Sequence, residues 1–132
     1  MKTPMIFVFG QWLENQCKSL GLPYLLMDNL ETTGESLCLS QTSTATTEKE
    51  YIDGSRVCRL EVDIVAQGQI ENRRNLIDYL TQLVYLFENL KDYDLDENYR
   101  ILRATATAPS MRERTDNGIV RYATAVAVTY KE

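Results

Sequence analysis

The 132-residue sequence contains no histidine, which removes the commonest general base and most nucleophile–base arrangements. Cysteine is nearly as scarce. Cys17, Cys38 and Cys58 are odd in number, widely spaced and form no C-x-x-C pair, so a structural zinc site is excluded and three small buried thiols are expected. Long apolar runs are missing too. The opening MIFVF (Met5 to Phe9) is five residues, far short of the ~20 that span a bilayer. It has no small-residue cleavage site, so no signal peptide is expected and synthesis is expected in the cytoplasm. Positive charge is in deficit, with 14 Lys and Arg against 19 Asp and Glu, a net −5. Such a chain does not wrap nucleic acid by neutralising phosphates, and an acidic wall would let DNA pass without holding it. G-x-S-x-G, P-loop, G-x-G-x-x-G and H-E-x-x-H patterns are all absent. No catalytic residue, no cofactor and no metal ligand is therefore expected.

What is present is an ordinary globular composition, 44% apolar and 25% charged, of a length that suits one domain over 1–132. Its organising stretch is Ile70 to Leu90. Leu76, Ile77, Leu80, Leu83, Val84, Phe87 and Leu90 recur at steps of three and four, the apolar face of a helix, with Glu71, Arg74, Asp78 and Glu88 opposite. A shorter helix is expected before it, with Thr3 as cap, Pro4 at the first helical position and Gly21 at its end. Met5, Phe9, Trp12, Leu13, Cys17 and Leu20 follow helical spacing along its inner face.

The remaining signals are β. Tyr24 to Met27 reads as a short strand, Asp28 to Gly34 as a loop, Ser36 to Gln41 as a strand, and Thr42 to Thr47 as strand or extended loop. Asp53-Gly54 marks a hairpin turn. From Arg56 to Gln67, Cys58, Leu60, Val62, Ile64 and Ala66 alternate with Arg59, Glu61 and Asp63, so one face is core and the other wet; Gly68 is read as the break before the helix. Arg100 to Ala108 and Ile119 to Tyr130 form a further hairpin around Thr115 to Gly118, with Pro109 ending the first strand. Val120, Tyr122, Thr124, Val126, Val128 and Tyr130 share one face of the last strand. Ala123, Ala125 and Ala127 share the other, and Ala104, Ala106 and Ala108 are expected beside them. Rows of small residues admit a covering helix or subunit, so Ala123, Ala125, Ala127, Glu61 and Asp63 form the candidate subunit interface. The fold class is α+β: a mostly antiparallel sheet, one long helix packed on it and a short N-terminal helix.

Two sets of charged residues invite sharper readings. Asp92, Asp94 and Asp96 have the first spacings of a calcium loop, but Glu97 replaces the required glycine and Arg103 the closing glutamate, leaving a solvated acidic loop. Paired acids such as Glu61 and Asp63 can hydrolyse without histidine, yet on a wet strand face they read as a solvated pair. Arg112, Glu113, Arg114 and Asp116, in the most arginine-rich part of the chain, read either as a solubilising, salt-bridged segment or, more sharply, as a docking loop for an acidic partner surface or a contact to DNA.

Three patches together resemble a viral family: YIDGS with the strand after it (Tyr51 to Val65), RRNLIDYLTQL (Arg73 to Leu83) and APSMRERTDNGIVRYATAVAVTYK (Ala108 to Lys131). In order and spacing they are similar to the minor capsid or tail-terminator (tail-completion) proteins of long-tailed phages and prophages of Gram-positive bacteria. The elements carrying the likeness are Asp53-Gly54-Ser55, Arg73 or Arg74, Pro109, Arg112 to Arg114, Asn117-Gly118 and Tyr130-Lys131. The resemblance implies a structural protein, a subunit of a homo-oligomeric ring (typically a hexamer) in the neck of the virion. It would cap the tail tube, offer the head connector its joining surface and let DNA through the lumen, after assembly in the host cytoplasm and without membrane contact. Two alternatives remain open: another neck protein (head-completion or connector), or a small-molecule-binding α+β domain.

Overall fold

The computed structural model describes residues 3–23, 25–27, 35–42 and 46–132, without the side chains of 26 and 27. Eight strands form one sheet: β1 (Leu25–Met27), β2 (Ser36–Gln41), β3 (Thr46–Glu50), β4 (Arg56–Gln69), β5 (Lys91–Asp94), β6 (Arg100–Ala106), β7 (Ser110–Arg114) and β8 (Ile119–Lys131). Two helices accompany them, α1 (Met5–Leu20) and α2 (Arg73–Glu88). The expected α+β class is what the chain adopts, and every strand pairing is antiparallel except β1 with β2.

The sheet is built outward from two long strands. β4 and β8 pair without interruption from Val57↔Lys131 to Gln69↔Ile119. β2 and β3 follow one another along the free edge of β4, and β6 and β7 along the free edge of β8. Strict alternation explains this frame, because Leu60, Val62, Ile64 and Ala66 oppose Val128, Val126, Thr124 and Tyr122 on a single face. That face is the core. Leu76, Leu80, Leu83 and Phe87 of α2 and Met5, Phe9, Leu13 and Cys17 of α1 are buried with it.

Aromatic rings join the helices to each other and to the sheet. Phe9 stacks on Phe87 at 6.0 Å, and Trp12 lies 5.8 Å from both Phe9 and Tyr93, so Trp12 anchors the packing of α1 on its neighbours. The Tyr99 hydroxyl donates to the Thr3 carbonyl at 2.7 Å, tying the start of α1 to the sheet.

Several boundaries differ from expectation for identifiable reasons. Pro4 itself is the cap residue of α1, without a side-chain cap bond, while Gly21 ends the helix in the left-handed region at φ 72° as expected. Residues 70–72 form a 3-10 turn before α2, and Ile77 lies at the rim of the helix, 37% exposed. Gly68 continues β4 instead of breaking it. The start of the acidic loop, Lys91–Asp94, is a strand, and Asp96 then accepts the Asn98 and Tyr99 amides at 2.8 and 2.9 Å. At the Asp53-Gly54 turn, Asp53 accepts the Ser55 hydroxyl at 2.7 Å and its amide at 3.0 Å, and the hydroxyl bond in particular holds the carboxyl below the usual range. The expected loop at 28–34 lies outside the described residues, as do Tyr24 and 43–45 of the neighbouring segments.

Candidate functional site

The sheet face turned away from the helices gathers the residues that sequence reasoning singled out. In the β4–β8 register Glu61 opposes Ala127, Asp63 opposes Ala125, Val65 opposes Ala123 and Gln67 opposes Arg121. Alternation along β4 requires this, since each lies between two core residues. All five candidate interface residues therefore lie on one face of the sheet, though Ala123 is fully buried there and only Ala125, Ala127, Glu61 and Asp63 reach its surface. Alanine ends at its methyl group, so the strip they form is low and the longer side chains beside it stand as walls.

The result is a shallow open groove of about 300 Å3, floored by Ala125 and Ala127 and walled by Thr42, Arg59 and Glu61 on one side and Thr105 and Thr107 on the other. Arg59 Nε donates to Glu61 at 2.9 Å, with both side chains nearly half exposed. Thr107 closes the gap between β6 and β7. Its hydroxyl accepts the Ala125 amide at 2.9 Å, and its carbonyl accepts the hydroxyl of buried Thr124 at 2.5 Å.

The arginine-rich segment is placed differently from expectation. Arg112, Glu113 and Arg114 belong to strand β7, not to a loop, and only Asp116 lies in the turn that follows. Arg112 reaches across the alanine row to an ion pair with Asp63 at 3.5 Å. Arg121 donates to buried Gln67 at 2.7 Å and pairs with Glu113 at 2.5 Å. Arg112 and Glu113 are thus joined to the surface of the candidate interface residues, whereas Arg114 opposes the core residue Val120 and Asp116 lies in the turn.

Ala104 and Ala106 do not belong to it. They oppose Val128 and Val126 and face the core, whereas Thr105 opposes Ala127. A bulge between Ile101 and Arg103 sets this register, and a one-residue slip exchanges the two faces of a strand.

Among the described residues no group of three or more His, Cys, Asp or Glu is placed to hold a metal ion. Cys17, Cys38 and Cys58 are buried and free, and burial followed by the nearby Glu14 carboxylate pushes the Cys17 thiol up to about 11, away from reactivity. No helix of the described residues is long and apolar enough to cross a membrane. The groove walls Thr105 and Thr107 went unnoticed in the sequence, and no periodic signal there would have found them. Scans against protein-family models and against curated proteins return no match for this chain.

Proposed function

We propose that the chain is a structural subunit of a phage-type neck, a tail-terminator or tail-completion protein that assembles with copies of itself into a ring. The ring caps the tail tube and meets the head connector, and DNA passes through its lumen without sequence-specific contact. One observation supports this reading above the others. The three patches that resemble the tail-terminator family are not scattered: Tyr51 to Val65 and Ala108 to Lys131 supply the two central paired strands, and Arg73 to Leu83 supplies the first part of the helix packed on them. The likeness falls on the frame of the fold.

In this role the helices brace one face of the sheet, and the groove face and the β7–β8 hairpin meet neighbours. The test is binding. The purified chain should capture tail-tube protein of its own phage or prophage. Capture of portal or head-completion protein alone would assign it to the other side of the joint, and capture of neither would sink the reading. Neighbouring reading frames offer a second check, with capsid genes before it and a tail-tube gene after it expected.

A further inference from the structure

Three strands of the sheet bury nothing, β3, β5 and β7, and two of them, β3 and β7, carry an alternating triplet of charges. Every residue of β3 and of β7 is exposed on both faces. Among the described residues β3 is hydrogen-bonded only to β4 and β7 only to β8, so each leaves its outer edge open there. The two edges lie on opposite sides of the sheet, because β4 uses its other edge for β8 and β8 its other edge for β4. They also lie at opposite ends, β3 beside Arg56 to Arg59 and β7 beside Val120 to Ala123, which pair with Gly68 to Val65. Diagonal corners of one molecule thus carry unsatisfied strand edges.

Their charges match. β3 reads Glu48-Lys49-Glu50, minus-plus-minus, and β7 reads Arg112-Glu113-Arg114, plus-minus-plus. Each sequence of signs is the same in both directions, so laying β3 beside β7 sets three opposite charges together whether the strands run parallel or antiparallel. Laying β3 on β3, or β7 on β7, in the same register sets three like charges together. Opposite-charge cross-strand pairs contribute about 0.2–1 kcal/mol each, and like pairs are destabilising. Both strands also carry a bulge at the pattern, between Thr47 and Lys49 and between Met111 and Glu113. Charges and bulges on an edge discourage indiscriminate pairing, and between these two edges the complementary pattern favours β3 with β7 over either strand with its own copy.

We propose that β3 of one copy adds edge-on to β7 of the next copy, through the main-chain ladder and the pairs Glu48, Lys49 and Glu50 with Arg112, Glu113 and Arg114. The contact is head-to-tail. It uses two different patches, leaves each copy with one open edge of each kind, and closes into a ring when the rotation between copies permits. Existing pairs do not oppose it. Arg112 with Asp63, Glu113 with Arg121 and Lys49 over the Tyr51 ring at 5.5 Å are all solvent-facing and weak. The inference deepens the ring reading and rests on it only for what the assembly does.

Charge reversal tests it. One chain carries Glu48→Arg, Lys49→Glu and Glu50→Arg; a second carries Arg112→Glu, Glu113→Arg and Arg114→Glu; a third carries all six. Mass is read by light scattering over a concentration series. Wild type and the six-fold variant should assemble, each three-fold variant should fall to the mass of one chain, and an equimolar mixture of the two should assemble again. Folding is checked by circular dichroism, and should a reversed chain fail to fold, Glu48→Gln with Glu50→Gln is read the same way. A wild type that stays a single chain at every concentration overturns the contact, as do reversed chains that keep the wild-type mass or a mixture that does not recover. The tail-tube capture experiment is independent of these outcomes. A chain that assembles as described yet ignores tail-tube protein keeps the contact and loses the function.

Discussion

Gly68 stands where strand β4 lies close under helix α2. A Cβ at this position would lie 3.1 Å from Leu76 Cδ2 and 3.3 Å from Glu35 Cγ. Leu76 is fully buried and has nowhere to go. Replacing glycine normally stabilises by restricting the unfolded chain, by about 0.4–1 kcal/mol, but overpacking a filled core costs about 1–3 kcal/mol. The second effect wins. Gly68→Ala is expected to lower stability by about 1–2 kcal/mol in urea denaturation with an unchanged slope, and a gain in stability would show that α2 moves outward freely. The contrast is Ile52, whose side chain is wholly exposed at the β3–β4 turn. Ile52→Ser should shift stability by less than about 0.5 kcal/mol.

Elements differ in how they earn their place. α2 is held by burial, so its residues should respond according to face. Leu80 is completely buried while Ile77 sits at the rim. Leu80→Ala is expected to cost about 2–5 kcal/mol and Ile77→Ala less than about 1 kcal/mol in the same denaturation measurement. Equal losses would mean that the helix is rotated from its described position. The same distinction explains what was legible in the sequence. β4, β8 and α2 carry periodic apolar residues because burial selects them, and all three were readable, as was the wet face holding Glu61 and Asp63. β7 was read as a loop because Ser110–Arg114 buries no side chain and is defined by its ladder to β8 alone. Ala104 and Ala106 were assigned to the wrong face because the Ile101/Arg103 bulge breaks the two-residue period without leaving a mark in composition. Half of the candidate surface was thus visible as pattern, and the other half exists only through strand pairing.

At the scale of the whole molecule, the shifted thiol and phenol groups lean one way. The hydrogen bond from Tyr79 to Glu35 pushes the Tyr79 phenol up to about 12, with burial adding to it. Burial, then the Cys58 thiol, pushes Tyr130 up to about 12, and burial raises Tyr99, which meets Tyr130 edge-on at 5.7 Å. Cys17 is pushed up to about 11. Each group keeps its proton in the folded chain after an unfolded chain has released it from an ordinary value of 9.0 for cysteine or 10.0 for tyrosine. Folding therefore binds protons between those values, and the stability these groups contribute is fully present below about pH 9 and lost as pH rises through 11 to 12. Cys17, Tyr79 and Tyr130 lie in α1, α2 and β8 and Tyr99 just before β6, so their ionisation reaches both layers. The chain is already at −5, and each proton lost adds to its self-repulsion. The expected thermogram has a melting temperature that varies little from pH 7 to about 9 and then falls steeply toward 12. Tyr79→Phe, which cannot ionise, should start lower for want of the Glu35 bond and fall less across that window. A wild-type melting temperature that holds level to pH 12, or a Tyr79→Phe chain that falls as steeply as wild type, would remove the tyrosine–glutamate link from the account of alkaline unfolding.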